Sequence, residues 1–193
     1  QKYPDGIFIL YANFYNAECQ YITGRADEAL SGYLSVIALT ESKFTEKALL
    51  QLSKIYFSKN DFANALIYYS RLEQTAELPA NLLQSYIGQL RCHSKLNNND
   101  MVFNYSGKVL GFEKAGADVK NEVHLLKGKA AMSMDNYNLA YEEVSITAQN
   151  NSEMGAEAKY IAANIQYLMG NYKQCEELVF QLSNQIPSYD NWV

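Results

Sequence analysis

Residues 168–175 read Leu-Met-Gly-Asn-Tyr-Lys-Gln-Cys. A Gly-Asn turn signal between two stretches of helical periodicity predicts the end of one helix, a tight turn and the start of a second helix. The same arrangement occurs four more times upstream: a turn residue first, usually an aromatic or apolar residue third, and a small residue sixth. The five turn residues are Gly24, Asn60, Asn97, Asp135 and Gly170. Their separations of 36, 37, 38 and 35 residues lie in the period range of helix-pair repeats.

The composition is that of an ordinary globular chain. Of its 193 residues, 48% are hydrophobic and 19% are charged, and no apolar run approaches the roughly 18 residues needed to span a bilayer. The net charge of −5 argues against a nucleic-acid partner, because phosphate binding requires a basic field. Three widely spaced prolines, Pro4, Pro79 and Pro187, suit an all-helical chain, since proline is excluded from helix interiors.

Residues that could carry chemistry are few. Cys19, Cys92 and Cys175 have no metal-binding spacing, and each is expected to fill space in the core. His93 and His124 fall at positions where helices pack and are expected to be core or rim residues. There is no glycine-rich phosphate loop and no nucleophile-elbow context. The sequence therefore predicts no enzyme, no cofactor and no metal site.

The periodicity predicts a single solenoid over residues 1–193. Its five repeats run approximately over residues 7–40, 42–77, 79–114, 118–150 and 152–186, and a sixth begins at 188–193. Arrays normally end in a capping repeat, and neither end supplies a clear one, so we expect a fragment of a longer array. The second helix of repeat three contains Gly107 and Gly111, each of which costs about 1 kcal/mol of helix propensity. We expect that helix to be the least regular.

The pattern resembles the tetratricopeptide repeat. With the turn residue at consensus position fifteen, position eight holds Ala17, Ser53, Leu90, Gly128 and Ala163. Position twenty holds Ala29, Ala65, Val102, Ala140 and Cys175. Small residues are needed at these positions because the two helices of a repeat cross there. The resemblance implies an all-α, right-handed αα superhelix that acts as a non-catalytic scaffold for another protein.

A second resemblance is one of style. The tyrosine- and asparagine-rich composition, and the stretch from Ala156-Glu157-Ala158-Lys159-Tyr160 to Gly170-Asn171-Tyr172, is similar to repeat proteins of Bacteroidetes-type bacterial envelopes, such as outer-membrane-assembly and cell-division-coordinator families. That resemblance implies a bacterial protein of envelope assembly. It favours a periplasmic or outer-membrane-associated location over the cytoplasm.

In the family, positions two, five, nine and twelve of each first helix face a concave groove. The candidate groove residues here are Tyr11, Phe14, Tyr21, Lys47, Lys54, Phe57, Arg91, Lys129, Met132, Tyr160, Asn164 and Tyr167. Position nine is Lys54, Arg91 and Lys129 in three successive repeats. Helices about 8 to 10 Å apart would space these cations by about three residues of an extended peptide. The hypothesis is a partly acidic partner segment held by these cations and the flanking aromatic rings.

Two alternatives stay open. The cations can instead form a solvated face while the aromatic rings pack on neighbouring helices. In function, the alternative to a scaffold is a ligand-sensing or regulatory module attached to an output domain outside this sequence. Acidic pairs such as Glu142-Glu143 are expected to be exposed surface charges. The expected partner is another protein or a peptide segment, and the oligomeric state is open.

Overall fold

The computed structural model describes residues 8–39 and 41–185, and these ranges contain ten α-helices and no strand. The helices are α1 (Phe8–Ile22), α2 (Ala26–Ala38), α3 (Thr45–Ser58), α4 (Phe62–Thr75), α5 (Pro79–Lys95), α6 (Asn99–Leu110), α7 (Ala117–Ser133), α8 (Tyr137–Ala148), α9 (Glu153–Leu168) and α10 (Tyr172–Gln185). The predicted all-α fold is confirmed. None of these helices is long and apolar enough to cross a membrane. The predicted start of a sixth repeat at 188–193 lies outside the described residues.

All five predicted turn residues adopt the left-handed backbone conformation. Their φ angles are 80° at Gly24, 58° at Asn60, 55° at Asn97, 57° at Asp135 and 77° at Gly170. In each turn, the N–H of the left-handed residue donates to the carbonyl of the residue three positions before it. The N–H of the following residue donates to the carbonyl of the residue five positions before that following residue. In the first turn, Gly24 N lies 3.0 Å from Tyr21 O, and Arg25 N lies 2.8 Å from Gln20 O. This Schellman geometry satisfies carbonyls that the helix end would otherwise leave unpaired.

The residue after the turn can also cap the next helix. Asp61 Oδ1 accepts a hydrogen bond from the Asn64 N–H at 3.1 Å, and Asn136 Oδ1 accepts one from the Leu139 N–H at 3.3 Å. An N-cap of this kind stabilises a helix by about 1 kcal/mol. In these repeats, two adjacent residues therefore end one helix and begin the next.

The contacts divide the chain into two compact units, residues 1–92 and 93–193. The main core of the first unit is formed by buried residues of α1 to α4 and of the segment that leads into α3. They are Phe14, Ala17, Ala29, Tyr33, Val36, Ile37, Phe44, Ala48, Leu49, Leu52, Ile55 and Leu72. The rings of Phe14 and Phe44 stack with centroids 4.2 Å apart. A second cluster joins Ala65 and Tyr69 of α4 to Cys92 of α5.

The second unit has its own core, built from α7, α8 and α9. Its buried residues are Leu125, Ala131, Ala140, Val144, Ala148, Ala158, Ala162 and Ile165. At Gly128, a Cβ atom would lie 2.4 Å from Cγ1 of Val144. The crossing of α7 and α8 therefore requires the smallest residue at consensus position eight, as the close approach of two helices demands.

The second helix of repeat three, expected to be the least regular, forms without a break. Helix α6 is an uninterrupted helix that contains Gly107, and Gly111 follows its last residue as the C-cap. Val102, Tyr105 and Val109 of this helix are buried. Burial of three large side chains outweighs about 1 kcal/mol of lost propensity at one glycine.

Candidate functional site

The predicted groove residues fall into two sets, one in each compact unit. The first unit holds Tyr11, Phe14 and Tyr21 on α1, Lys47, Lys54 and Phe57 on α3, and Arg91 on α5. The second unit holds Lys129 and Met132 on α7, and Tyr160, Asn164 and Tyr167 on α9. All of them lie on the first helix of a repeat.

The α1 aromatics of the first unit pack largely against protein. Phe14 is only 3% exposed, and its ring stacks on Phe44 in the core. Tyr21 is half-buried, with its ring edge-on to Tyr33 at 6.5 Å. Tyr11 is more exposed and lies edge-on to Phe44 at 5.1 Å. Of these three rings, Tyr11 offers the most surface to a partner.

Lys47 is held by a half-buried carboxylate, that of Glu18. It forms an ion pair with Glu18, and its ammonium group lies 5.4 Å from the centroid of the Phe14 ring. The Tyr33 hydroxyl donates to Glu18 Oε1 at 2.7 Å. Burial raises the pKa of Glu18, but the hydrogen bonds from Lys47 and Tyr33 outweigh that effect, so the net pKa is below its ordinary value. Lys47 therefore already neutralises a charge of its own protein.

The other residues of the first set, on α3 and α5, are exposed or half-buried. Lys54 is exposed and makes no hydrogen bond or ion pair with any residue in the described part of the chain. Phe57 is half-buried and lies edge-on to Phe62 at 5.3 Å. Arg91 is exposed and already interacts within the protein. Lys54 is thus the cation of this set most available to an acidic ligand.

The second set is dominated by tyrosines. Tyr160, Asn164 and Tyr167 are spaced by four and three residues, so they share one face of α9; we call these three residues the tyrosine face. Tyr160 and Tyr167 are each 60% exposed, and Asn164 between them is half-buried. Met132 is half-buried and packs against the core of this unit.

Lys129 forms an ion pair with the next first helix. Its Nζ lies 2.5 Å from Glu157 Oε1, and both side chains are partly exposed, at 39% and 47%. Glu157 precedes Tyr160 by three residues, so the ion pair lies beside the tyrosine face. A partner carboxylate at Lys129 would have to compete with Glu157.

A buried charged cluster was missed in the sequence. Glu143 Oε1 accepts a hydrogen bond from Lys127 Nζ at 2.6 Å, and Glu143 Oε2 lies 2.8 Å from His124 Nδ1. Glu143 is only 6% exposed, so the expectation that it is a surface charge was wrong. Burial raises its pKa, but the hydrogen bonds from Lys127 and His124 outweigh this, and the net pKa is lowered. This cluster ties α7 to α8 inside one repeat.

The repeat alignment contained a signal for this cluster. Eight residues after the turn, where Asp135 leads to Glu143, the other repeats have Gly32, Tyr68, Tyr105 and Leu178. A carboxylate at a position that is otherwise apolar or small indicates a buried partner on the facing helix. The predicted position of His124 at a helix-packing site is confirmed, since it is this carboxylate's neighbour.

The remaining titratable candidates are structural. The imidazole of His93 is buried and stacks on the Tyr105 ring with centroids 5.6 Å apart, and burial lowers its pKa. Cys92 is buried, and burial raises the pKa of its thiol to about 12. Cys19, in contrast, is exposed, so the expectation that it fills the core was wrong. In residues 8–39 and 41–185, no group of three or more His, Cys, Asp or Glu side chains could hold a metal ion.

Comparisons with known proteins identify the fold. No protein-family model and no curated protein matches the sequence significantly. Among solved structures, MamA from Desulfovibrio magneticus RS-1 is 12% identical, with a TM-score of 0.76 over 94% of this chain and 97% of that one. A tetratricopeptide repeat protein from Parabacteroides merdae is 15% identical, with a TM-score of 0.74 over 93% and 67%.

A third similar structure is the apo form of RapI, 11% identical, with a TM-score of 0.77 over 94% of this chain and 72% of that one. Identities this low establish the shared fold alone. Five helix pairs, five left-handed turns at the same repeat position and these structural matches agree. The chain folds as a helical-repeat protein of the tetratricopeptide type.

Proposed function

We propose that this chain is a non-catalytic scaffold that binds an extended segment of another protein on the first helices of its second unit. The observation that carries the proposal is the tyrosine face of α9. Tyr160 and Tyr167 each leave 60% of their surface exposed, although burial of a large ring is strongly favourable. Exposed aromatic side chains of this kind are the usual anchors of protein interfaces.

The spacing of the tyrosine face suits an extended peptide. Seven residues of helix separate Tyr160 from Tyr167, a rise of about 10 Å. About three residues of an extended chain cover the same distance. Between the two rings, the Asn164 amide can donate to and accept from a peptide backbone. The partner segment would therefore place two apolar side chains about three residues apart, with its backbone against Asn164.

The cations at position nine of the repeat are expected to favour acidic ligands but to contribute less to affinity than the tyrosine rings. Position nine of the repeat is Lys54 and Arg91 in the first unit and Lys129 in the second. Lys54 has no bonding partner in the described part of the chain, whereas Lys129 is paired with Glu157. Complementary charges raise association rates and select among partners more than they raise affinity. In the first unit taken by itself, an acidic ligand is thus favoured most strongly at Lys54.

The cellular setting we propose is the bacterial envelope, in an assembly role. The tyrosine- and asparagine-rich sequence, which is similar in style to repeat proteins of bacterial envelopes, supports this setting. The alternative, a ligand-sensing module, makes a different prediction: the chain would bind a small molecule and show no preference among peptides.

The test is selection of binders from a displayed library of short random peptides, followed by calorimetry of the selected sequences. The double variant Tyr160→Ala/Tyr167→Ala should lose at least about tenfold in affinity, because the removal of one interface anchor typically costs more than 1 kcal/mol. Ile67→Ala is the matched control, since Ile67 is also 60% exposed but lies on the second helix of its repeat. Equal binding by both variants would refute the tyrosine face as the site.

A second arm tests the charge preference. Lys54→Gln should weaken those acidic peptides whose binding does not depend on Tyr160 and Tyr167 and should leave neutral ones unchanged, and the difference should shrink at high salt. Lys95→Gln is the control, because Lys95 is an exposed lysine in the last turn of α5. If no peptide is selected at all, the scaffold proposal fails.

A further inference from the structure

Two ion pairs connect position nine of one repeat to position two of the next. In the first unit, Glu18 at position nine pairs with Lys47 at position two. In the second unit, Lys129 at position nine pairs with Glu157 at position two, with Nζ 2.5 Å from Oε1. The order of the charges is reversed, so the contact follows from the two positions and not from which of them carries the cation. We call such a pair of positions a cross-repeat pair.

Another cross-repeat pair of the first unit has a cation but no carboxylate. Its position nine is Lys54 on α3, and its position two is Gln84 on α5; both side chains are exposed. Within residues 8–39 and 41–185, Lys54 makes no hydrogen bond or ion pair. Helices α3 and α5 each have described helices before and after them in the chain. The neutral Gln84 therefore stands where the position-nine cation Lys129 meets a carboxylate.

The surroundings of Lys54 on its own helix are apolar. Leu50 and Phe57 lie four residues before and three residues after it, so the three side chains share one face of α3. Both apolar side chains are half-buried and pack against the buried cluster that joins α4 to α5. They partly exclude water from the ammonium group. A carboxylate bound there would be less screened than one on an open surface.

We propose that Lys54 and Gln84 together bind the side-chain carboxylate of a glutamate in a partner protein. That glutamate takes the place that Glu157 holds beside Lys129. The Lys54 ammonium donates to the carboxylate, and the Gln84 amide supplies a further N–H donor. Both internal pairs use glutamate, so the length of its side chain suits the distance between the two helices.

Gln84 is the specificity-determining residue of this site. It leaves the Lys54 charge available, whereas a glutamate at position two would neutralise it from within the chain. The site adds a contact in the first unit to the proposed function, and it rests on that proposal only in that its ligand is a segment of another protein.

The test compares two sets of short peptides that differ only at the central residue, which is glutamate in one set and glutamine in the other. The peptides are those whose binding survives Tyr160→Ala/Tyr167→Ala. The wild-type chain should bind the glutamate set about two- to fivefold more tightly, the range for a partly exposed ion pair. Lys54→Gln should remove this preference. Equal binding of the two sets by the wild-type chain would overturn the proposal.

Gln84→Glu is the decisive variant because it leaves Lys54 in place. It should also lose the preference for glutamate, since its own carboxylate then pairs with Lys54. Gln74→Glu is the matched control: it makes the same chemical change at an exposed residue of α4 and should keep the preference. Equal losses in the two variants would indicate a long-range effect of net charge and would overturn the proposed site, as would a Gln84→Glu variant that keeps the preference.

A rescue variant shows whether the two positions act as one site. Lys54→Gln/Gln84→Lys moves the cation from position nine to position two, where Lys47 stands in the first cross-repeat pair. It should regain the preference for glutamate that Lys54→Gln has lost. A double variant that binds the two peptide sets equally would contradict a shared site.

The geometry can also be tested without a ligand. In Gln84→Glu, the nuclear magnetic resonance signals of the Lys54 Cε methylene group should shift, and the shift should diminish at high salt. Gln74→Glu should leave these signals unchanged. Lys54 signals that are the same in Gln84→Glu and in the wild-type chain would overturn the pairing of the two positions.

This inference and the proposed function can fail separately. Peptide binding that depends on Tyr160 and Tyr167, with no preference for glutamate that depends on Lys54, would leave the proposed function standing and refute the glutamate site. A preference that Lys54→Gln and Gln84→Glu both remove, in a chain whose binding is unaffected by Tyr160→Ala/Tyr167→Ala, would support the glutamate site and refute the tyrosine face.

Discussion

Tyr69 fills the space beside Gly88. A Cβ atom on Gly88 would lie 2.2 Å from Cζ of the tyrosine ring, well inside van der Waals contact. Tyr69 is 6% exposed and belongs to the cluster that joins α4 to α5. The ring of one repeat is therefore accommodated by the missing side chain of the next.

The first prediction is that Gly88→Ala destabilises the protein although alanine is the better helix former. Displacement of the Tyr69 ring should cost about 1–3 kcal/mol, as overpacking of a core does. Gly107→Ala is the control, because a Cβ there meets nothing within 4 Å, and it should stabilise α6 by up to about 1 kcal/mol. Urea denaturation measures both, and two changes of the same sign would contradict the packing argument.

The second prediction concerns the left-handed turn at Gly24, where φ is 80°. Gly24→Ala should destabilise the first helix pair by about 1–2 kcal/mol, because a Cβ is unfavourable in this conformation. Gly24→Asn should cost less, since asparagine tolerates the left-handed region and occupies the same position at Asn60 and Asn97. Thermal melting followed by circular dichroism would rank the variants. A Gly24→Ala variant that melts at the same temperature as Gly24→Asn, or above it, would contradict the prediction.

The third prediction concerns the buried carboxylate Glu143. Glu143→Gln should lower the free energy of unfolding at neutral pH by about 1.5–3 kcal/mol, the range for hydrogen bonds to charged groups. The folded-state pKa of Glu143 is lowered below 4.5, so its contribution is fully present above that value and is lost as the pH falls through the folded pKa. The difference between wild type and variant should therefore shrink in acid. The exposed neighbour Glu142 supplies the control, and Glu142→Gln should show neither effect.

The fourth prediction concerns the hydrogen bond from Tyr33 to Glu18. Tyr33 is fully buried, and its hydroxyl donates to Glu18 Oε1 at 2.7 Å. Tyr33→Phe should destabilise the first unit by about 1.5–3 kcal/mol, because the carboxylate loses a buried donor. Tyr15→Phe, at a ring that is 55% exposed, should change stability little. Comparable losses of stability in the two variants would mean that the buried hydroxyl of Tyr33 contributes no more to folding than the solvent-exposed hydroxyl of Tyr15.

The parts of the fold that depend on residues close together in the sequence could be predicted. The turns at Asn60, Asn97 and Asp135 were predicted because the repeat period places these turn-forming residues in line, and the structure shows that all three adopt the positive φ that asparagine and aspartate tolerate. The burial of Glu143 was not predicted, since helical periodicity alone gives the angle between side chains and not which face meets another helix. That choice depends on Lys127 and His124 of the preceding helix.

The candidate site was less predictable than the fold. Consensus positions put Phe14 and Tyr160 in one class, yet Phe14 is 3% exposed and Tyr160 is 60% exposed. The difference comes from Phe44, whose ring stacks on Phe14 and covers it. Phe44 lies in the segment ahead of α3, and helical periodicity does not predict where a residue of such a segment packs. Partner binding at these residues remains a prediction.

The helices that pack together within each unit are neighbours along the chain, apart from the contact of α7 with α9. Each contact therefore closes a loop of at most a few tens of residues, and little chain entropy is lost before the contact forms. Such a topology has a low contact order, and we expect it to fold quickly. Order can begin in any helix pair and spread to the next.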